Sequence, residues 1–237
     1  MKKLLAIVPL FFTLITSGCN LSTLSLTPKT VEVVQKINRI YLDLNNRDVT
    51  IKFDSNIKDS EVSYYDNEQD RISCNLENGV LTIEEHTNLF NLNIKDSEDE
   101  IVITLPYVSV PEINLSTDVG NLYIEHMDIA HLNVDIDVGN FTITNSKVDQ
   151  CNVDLDTGNV SINKTSFVSY DGEIDVGNLV MTQSERERFD NTNVNLLTNI
   201  GNIIFFNEAK GKELKYLALN PLYSFSLDID VGDITIS

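Results

Sequence analysis

The stretch VDIDVGNFTI, residues 134–143, returns as VDLDTGNVSI at 153–162, in part as EIDVGNLVM at 173–181, and as LDIDVGDITI at 227–236. A catalytic loop is normally written once, so a box repeated this often is architectural. Val134 and Ile136 alternate with Asp135 and Asp137, the period of a strand with one buried face. Gly139 then turns the backbone where a side chain would strain it. Phe141 and Ile143 point inward again, with Thr142 outside. Asn140 and its equivalents Asn121, Asn159, Asn178 and Asn202 suit local hydrogen bonds or a left-handed turn.

The glycines of the box are Gly120, Gly139, Gly158, Gly177, Gly201 and Gly232, at intervals of 19, 19, 19, 24 and 31 residues. Equal intervals are the signature of stacked coils in register. From Val31 onward apolar residues alternate with Asp, Asn, Ser and Thr, and almost no helical period is present. The expected fold is all-β: a single-stranded β-solenoid, parallel β-helix-like, right- or left-handed, with coils of about 19 residues. Each coil has room for about three short strands and advances about 4.8 Å.

The earlier coils are less regular. LDLNNRDVTI at 42–51 overlays VDLDTGNVSI without a gap, but Arg47 stands where the glycine should be, so a different turn is expected there. CNLENGVLTI at 74–83 reads as a box lengthened by one residue around Gly79. IVITLPYVSVPEINL at 101–115 reads as a strand, a proline-bounded bend and a second strand, and KDSEDE at 95–100 as a solvated loop. SERERF at 184–189 is either a charged loop or a short helical turn, with Ser184 and Glu187 at capping-box spacing. EAKGKELKYLALNP at 208–221 gathers Lys210, Lys212 and Lys215. The chain stops at Ser237 after a coil-like strand, which leaves an edge for a homotypic contact unless the 208–221 excursion closes it.

MKKLLAIVPLFFTLITSGC opens the chain with two lysines, an apolar run and small residues before Cys19, a secretory signal pattern. It resembles a bacterial lipoprotein signal, which implies lipidation of Cys19 and a membrane-anchored, extracytoplasmic protein on the cell surface or the periplasmic side. Ordinary cleavage and an uncleaved anchor are the alternatives. The expected organisation is a signal peptide at 1–18, a tether at 19–30 and the β-solenoid at 31–237. Cys151 occupies the apolar position filled by Leu132 one repeat earlier and reads as a small buried hydrophobe. Cys74 is its only possible disulfide partner if Cys19 is lipidated.

Thirty-six acidic against 17 basic residues give a formal charge of −19. That charge argues against nucleic acid and anionic lipid headgroups as direct partners, because both would be repelled, whereas divalent cations and basic partners fit better. Asp118, Asp137, Asp156 and Asp175 recur at one coil position. Stacked in register they would lie about 5 Å apart, an arrangement a cation or water must screen. Calcium, which takes several oxygen ligands, is the candidate metal; a solvated acidic ladder and a protein-contact surface are the competing readings. The box departs from both the calcium-binding nonapeptide repeat and the EF-hand loop.

The IVITLP strand at 101–106, the following VPEINLSTDVGNLYI at 109–124 and the boxes running to 236 resemble a bacterial family of candidate adhesins built from β-rich repeats. The resemblance covers about residues 31–237 and implies the fold. It implies no common catalytic residues. The expected function is non-catalytic: surface binding or structural support in the cell envelope, with an envelope or extracellular protein or a glycan as partner. The alternatives are a calcium-dependent envelope module and a polysaccharide-acting enzyme using paired acidic residues. Regular repetition explains the acidic residues without catalysis. His86, His126 and His131 do not recur in phase, and tryptophan, the usual sugar-stacking platform, is absent.

Overall fold

The computed structural model describes residues 27–66, 70–87, 100–182 and 186–237. The signal segment, Cys19, residues 20–26 of the expected tether, most of KDSEDE and the start of SERERF lie outside them. The first strand, β1 (Thr27–Val33), begins inside the expected tether, and Arg186–Asn191 forms a 3-10 turn.

Each regular repeat folds as one long and one short strand, so a coil holds two strands rather than the expected three. The pairs are β8 (Ser109–Val119) with β9 (Leu122–Glu125), β10 (Asp128–Val138) with β11 (Phe141–Thr144), β12 (Lys147–Thr157) with β13 (Val160–Asn163), and β14 (Ser166–Val176) with β15 (Leu179–Thr182). Long strands stack on long and short on short, all parallel, with each residue opposite its counterpart 19 positions on: Val134 faces Val153 and Ile143 faces Ile162. The result is two sheets of ten and eleven strands, whose inward faces bury columns such as Ile136, Leu155 and Ile174 against Phe141, Val160 and Leu179.

The turn from long to short strand explains the glycine. A Cβ on Gly139 would lie 1.7 Å from the Gly120 carbonyl oxygen, and the same collision recurs up the stack. Close approach of successive backbones, beyond turn geometry, excludes a side chain here. The Gly139 amide donates to the Thr157 carbonyl at 2.9 Å, tying one coil to the next. Beside the glycines runs an asparagine ladder. The Asn121 Oδ1 accepts from the backbone amide of Asn140 at 3.0 Å and from its Nδ2 at 2.8 Å, and Asn140 does the same for Asn159. The ladder ends on the acceptor-only Asp48, which receives both donors of Asn121.

At both ends the order in space departs from the order in the chain. The first coil, β2 (Arg39–Asn46) and β3 (Asp48–Phe53), is inserted between β8–β9 and the pair β6 (Val80–Thr87) and β7 (Glu100–Leu105). The last coil, β20 (Tyr223–Val231) and β21 (Ile234–Ile236), is likewise inserted between β14–β15 and the pair β16 (Thr192–Ile200) and β17 (Ile203–Phe205). The C-terminal strand is therefore interior, and the edge expected after Ser237 lies instead at β18 and β19.

Antiparallel strands finish the sheets. The β4 strand (Ser60–Asp66) pairs with β7 and carries β1, while β5 (Asp70–Glu77) pairs with β6. At the other end β18 (Glu208–Gly211) and β19 (Glu213–Tyr216), drawn from the 208–221 excursion, pair with β17 and β16. CNLENGVLTI is thus a hairpin rather than a coil: Asn78 and Gly79 both have positive φ, 53° and 79°, as a two-residue hairpin turn requires.

Side chains select these neighbours. Tyr170 on β14 stacks on Phe225 of β20 with ring centroids 4.5 Å apart, and its ring occupies the space that Gly172 leaves by lacking a side chain. Val194 stands at the same column on β16 and offers no ring. Arg47 takes the glycine position at the N-terminal side of the column, where its carbonyl lies against Gly120, so the ungapped overlay holds. Its buried guanidinium meets Glu85 of β6 at 2.8 Å, and Glu85 also accepts the Asn45 and Asn46 amides, each at 2.8 Å. Cys151 is buried in the column between Leu132 and Tyr170, as its apolar position predicts, and both it and Cys74 are free thiols.

Candidate functional site

Alternation along the long strands places every second residue on the outer face of the ten-stranded sheet, and in-register stacking turns each such position into a row. The row through Asn133 begins at Tyr41 and Asn114 and continues to Asn152, Asp171 and Ser226. It is knit together by side chains: Asn152 donates to Asn133 at 2.8 Å, Asn133 to Asn114 at 2.6 Å, and Asn114 to Glu112 at 2.9 Å. Glu112 also accepts from Tyr41 at 3.0 Å and pairs with Arg39. The hydrogen bonds from Asn114 and Tyr41 hold its carboxyl below the usual range.

Two residues further along each strand lies an acidic row: Glu84, Asp43, Ser116, Asp135, Asp154, Glu173 and Asp228. With the asparagine row it lines an open groove of about 810 Å³ that runs from β6 to β16 across eight strands, or about 34 Å at the inter-strand spacing. Asp43, Glu84, Asp135, Asp154, Asp171, Glu173 and Asp228 face it, and none of its lining residues is basic. Partial desolvation, followed by the neighbouring Asp154, Asp137 and Asp156 charges, pushes the Asp135 carboxyl up. The groove therefore carries uncompensated negative charge that is felt within the fold.

The four aspartates singled out as calcium ligands form a further exposed column, at the corner where the long strands turn. Register places Asp118, Asp137, Asp156, Asp175 and Asp230 side by side, between Asn45 and Asn199 at the two ends. Burial, then the Asp137 charge, raises the Asp118 carboxyl. The column borders the groove without lining it. Among the described residues, no group of three or more His, Cys, Asp or Glu side chains is arranged to hold a metal ion. Reading the sequence for the last aspartate of each box passed over the first, and the first lines the groove. The signal was the D-x-D alternation itself. The histidines do not form a site either: His131 meets Gln150 at 3.1 Å, while His126 and His86 lie beside Glu125 and Glu84.

Among the described residues, no helix is long and apolar enough to cross a membrane. No curated protein matches the chain. Among solved structures, a candidate adhesin from Bacteroides fragilis is 15% identical over 90% of this chain and 97% of its own, with a TM-score of 0.51. A candidate cell adhesion protein from Clostridium sporogenes is 16% identical over 89% and 99%, with a TM-score of 0.47. The Toastrack DUF4097 family profile matches residues 37–237, which is the whole stack from the loop before β2 to the last strand. The chain belongs to the Toastrack DUF4097 family.

Proposed function

We propose that this protein is a non-catalytic binding module of the cell envelope, tethered through a lipid on Cys19, whose acidic groove docks a cationic segment of an extracytoplasmic protein. The observation that carries this reading is the groove itself, with seven carboxylates along about 34 Å and no basic residue in its lining. A chain of lysines or arginines laid along the groove would meet a row of carboxylates at strand spacing, and complementary charge of this kind speeds encounter and sets register. The repetitive face recognises charge and extension rather than one side-chain sequence, which suits a surface-binding role.

Anisotropy titration of the full chain with a labelled oligolysine peptide tests the reading. The triple variant Asp135→Asn/Asp154→Asn/Glu173→Gln is expected to weaken binding about tenfold, and rising salt should erase the difference. Asp118→Asn/Asp137→Asn/Asp156→Asn removes the same charge from the corner column and should weaken it far less. Equal losses in both variants would reduce the interaction to net charge. The corner column is the competing proposal: calorimetric heat specific to calcium over magnesium, abolished by the corner variant, would make it a metal site.

A further inference from the structure

The ten-stranded sheet ends on β19, which has β16 on one side and no strand on the other. Its register sets Lys215 opposite Asn195, which lines the groove, and Glu213 opposite Leu197, so both charged residues lie on the outer face of the sheet. Leu214 and Tyr216 fall opposite the buried Leu196 and Val194 and therefore face the layer between the sheets. That layer is incompletely closed at this end: Leu214 is half-buried and Tyr216 is 42% exposed.

One hydrogen bond fixes which backbone groups of β19 point to the open side. The Thr198 amide donates to the Lys212 carbonyl at 2.9 Å, continuing the same register. In an antiparallel pair, residues whose amide and carbonyl face the neighbour alternate with residues whose groups face away. Lys212, Leu214 and Tyr216 therefore direct theirs at β16, while Glu213 and Lys215 present theirs to the open edge. An antiparallel partner identical to β19 must set these presented residues against each other, which leaves few registers. A twofold axis at Glu213 or at Lys215 puts like charges directly opposite, which is destabilising. Axes farther out leave one of the two charged residues outside the ladder. An axis at Leu214 sets Glu213 against Lys215 of the second copy at both hydrogen-bonded positions. It also brings the two Leu214 side chains together at the closely spaced position between them.

We infer that β19 is a self-association edge: two copies pair antiparallel through β19 about a twofold axis at Leu214, joining their ten-stranded sheets into one continuous sheet. Self-complementary charge in a single register, beside apolar side chains that a second copy would cover, selects this occupant. Two other edges are blunted against such pairing. Strand β1 carries Pro28, which has no amide hydrogen, and β18 has a register break beside Ile203, with Lys210 paired to Glu208. The twofold axis is perpendicular to the sheet, so both outer faces stay on one side and the two acidic grooves run end to end. The contact itself does not depend on what the grooves bind.

Sedimentation velocity of the full chain, in detergent matched to the solvent density, tests the pairing. The natural chain is expected to form dimers over the micromolar range. Glu213→Lys and Lys215→Glu each place like charges at both hydrogen-bonded positions, and each should weaken self-association by about tenfold or more. An equimolar mixture of the two variants should dimerise again, because every charge then meets its opposite. Lys215→Pro removes an amide that faces away from β16; it should abolish the dimer while circular dichroism and thermal melting stay those of the natural chain. A natural chain that remains monomeric across the range overturns the inference, and so does self-association that is unchanged in every variant. Single variants that are folded and monomeric but do not combine with each other overturn the register and the edge with it.

Discussion

The middle of the stack and its two ends solve one problem in different ways. From β8 to β15 the chain adds each coil directly on the last, and strand residues pair with their counterparts 19 positions away. At the ends that rule would leave parallel strands with open edges, which pair with other chains. There the chain steps outward, returns to place a coil inside, and ends each sheet on short antiparallel strands, so that β1, β18, β19 and β5 are the edges in place of regular coils. Regular repetition builds length, and a break in the repetition ends it. The buried Arg47–Glu85 pair and the Tyr170–Phe225 stack sit at the two insertion points, where the repeat alone does not identify the neighbour.

Breaking the middle should have the largest effect. Gly139→Ala places a Cβ 1.7 Å from the Gly120 carbonyl oxygen and 3.2 Å from Ile136 Cγ2, and the backbone it strikes is held in the stack. The expected cost is more than about 4 kcal/mol, or loss of the folded protein, read from thermal and urea melts. Gly211→Ala at the edge meets nothing within 4 Å and should cost only about 1 kcal/mol, from its positive φ. If the two cost the same, the glycine column is not held by close approach.

At the N-terminal insertion, Glu85→Ala removes the carboxylate facing a buried guanidinium, which keeps its bond to the Tyr65 carbonyl, and the acceptor of two backbone amides, and about 3–5 kcal/mol should be lost. Adding Arg47→Met should recover part of that loss but not all, because the Asn45 and Asn46 amides still lack their acceptor. Full recovery would mean that Glu85 serves the arginine alone.

The smallest expected effect separates the groove from the fold. The Asp135 carboxyl is raised in the folded state, so the native protein holds its proton to higher pH than the unfolded chain. Its ionisation therefore costs stability as pH rises through and above that window, and acidification relieves the cost. Asp135→Asn should melt slightly higher than the natural protein at pH 7, with the gain shrinking in salt and closing below about pH 4. A variant that melts lower at pH 7 would show Asp135 held by a favourable partner instead.

Much of this architecture was legible in the sequence because identical spacing forces identical register. The 19-residue interval, the inward columns and even the place of Arg47 followed from overlaying the boxes. Neighbour choice at the ends did not. The box at 227–236 shares Ile, Asp, Val and Gly with 173–181 and Leu, Gly and Ile with 196–205, too small a difference to order the stack by itself, and the tyrosine that meets a phenylalanine beside Gly172 favours one order. The Asn78–Gly79 pair did carry a local hairpin signal, masked by its likeness to a lengthened box. Within the candidate site, the column of last aspartates drew the eye because it precedes the glycine. The groove depends on how neighbouring rows sit on a sheet face, which spacing along one strand does not contain.

The inserted last coil also constrains how the molecule comes into being. Strands β16 and β17 precede in the chain, by about thirty residues, the pair that separates them from β14 and β15. A chain delivered from its N-terminus presents them before their native neighbour arrives. The same box on every coil makes β14 a ready but incorrect partner until then. A slot has to stay open, or reopen, until residues 223–236 arrive. Addition of strands strictly in chain order is thereby ruled out, and residues 223–236 become the step on which one whole end of the protein waits.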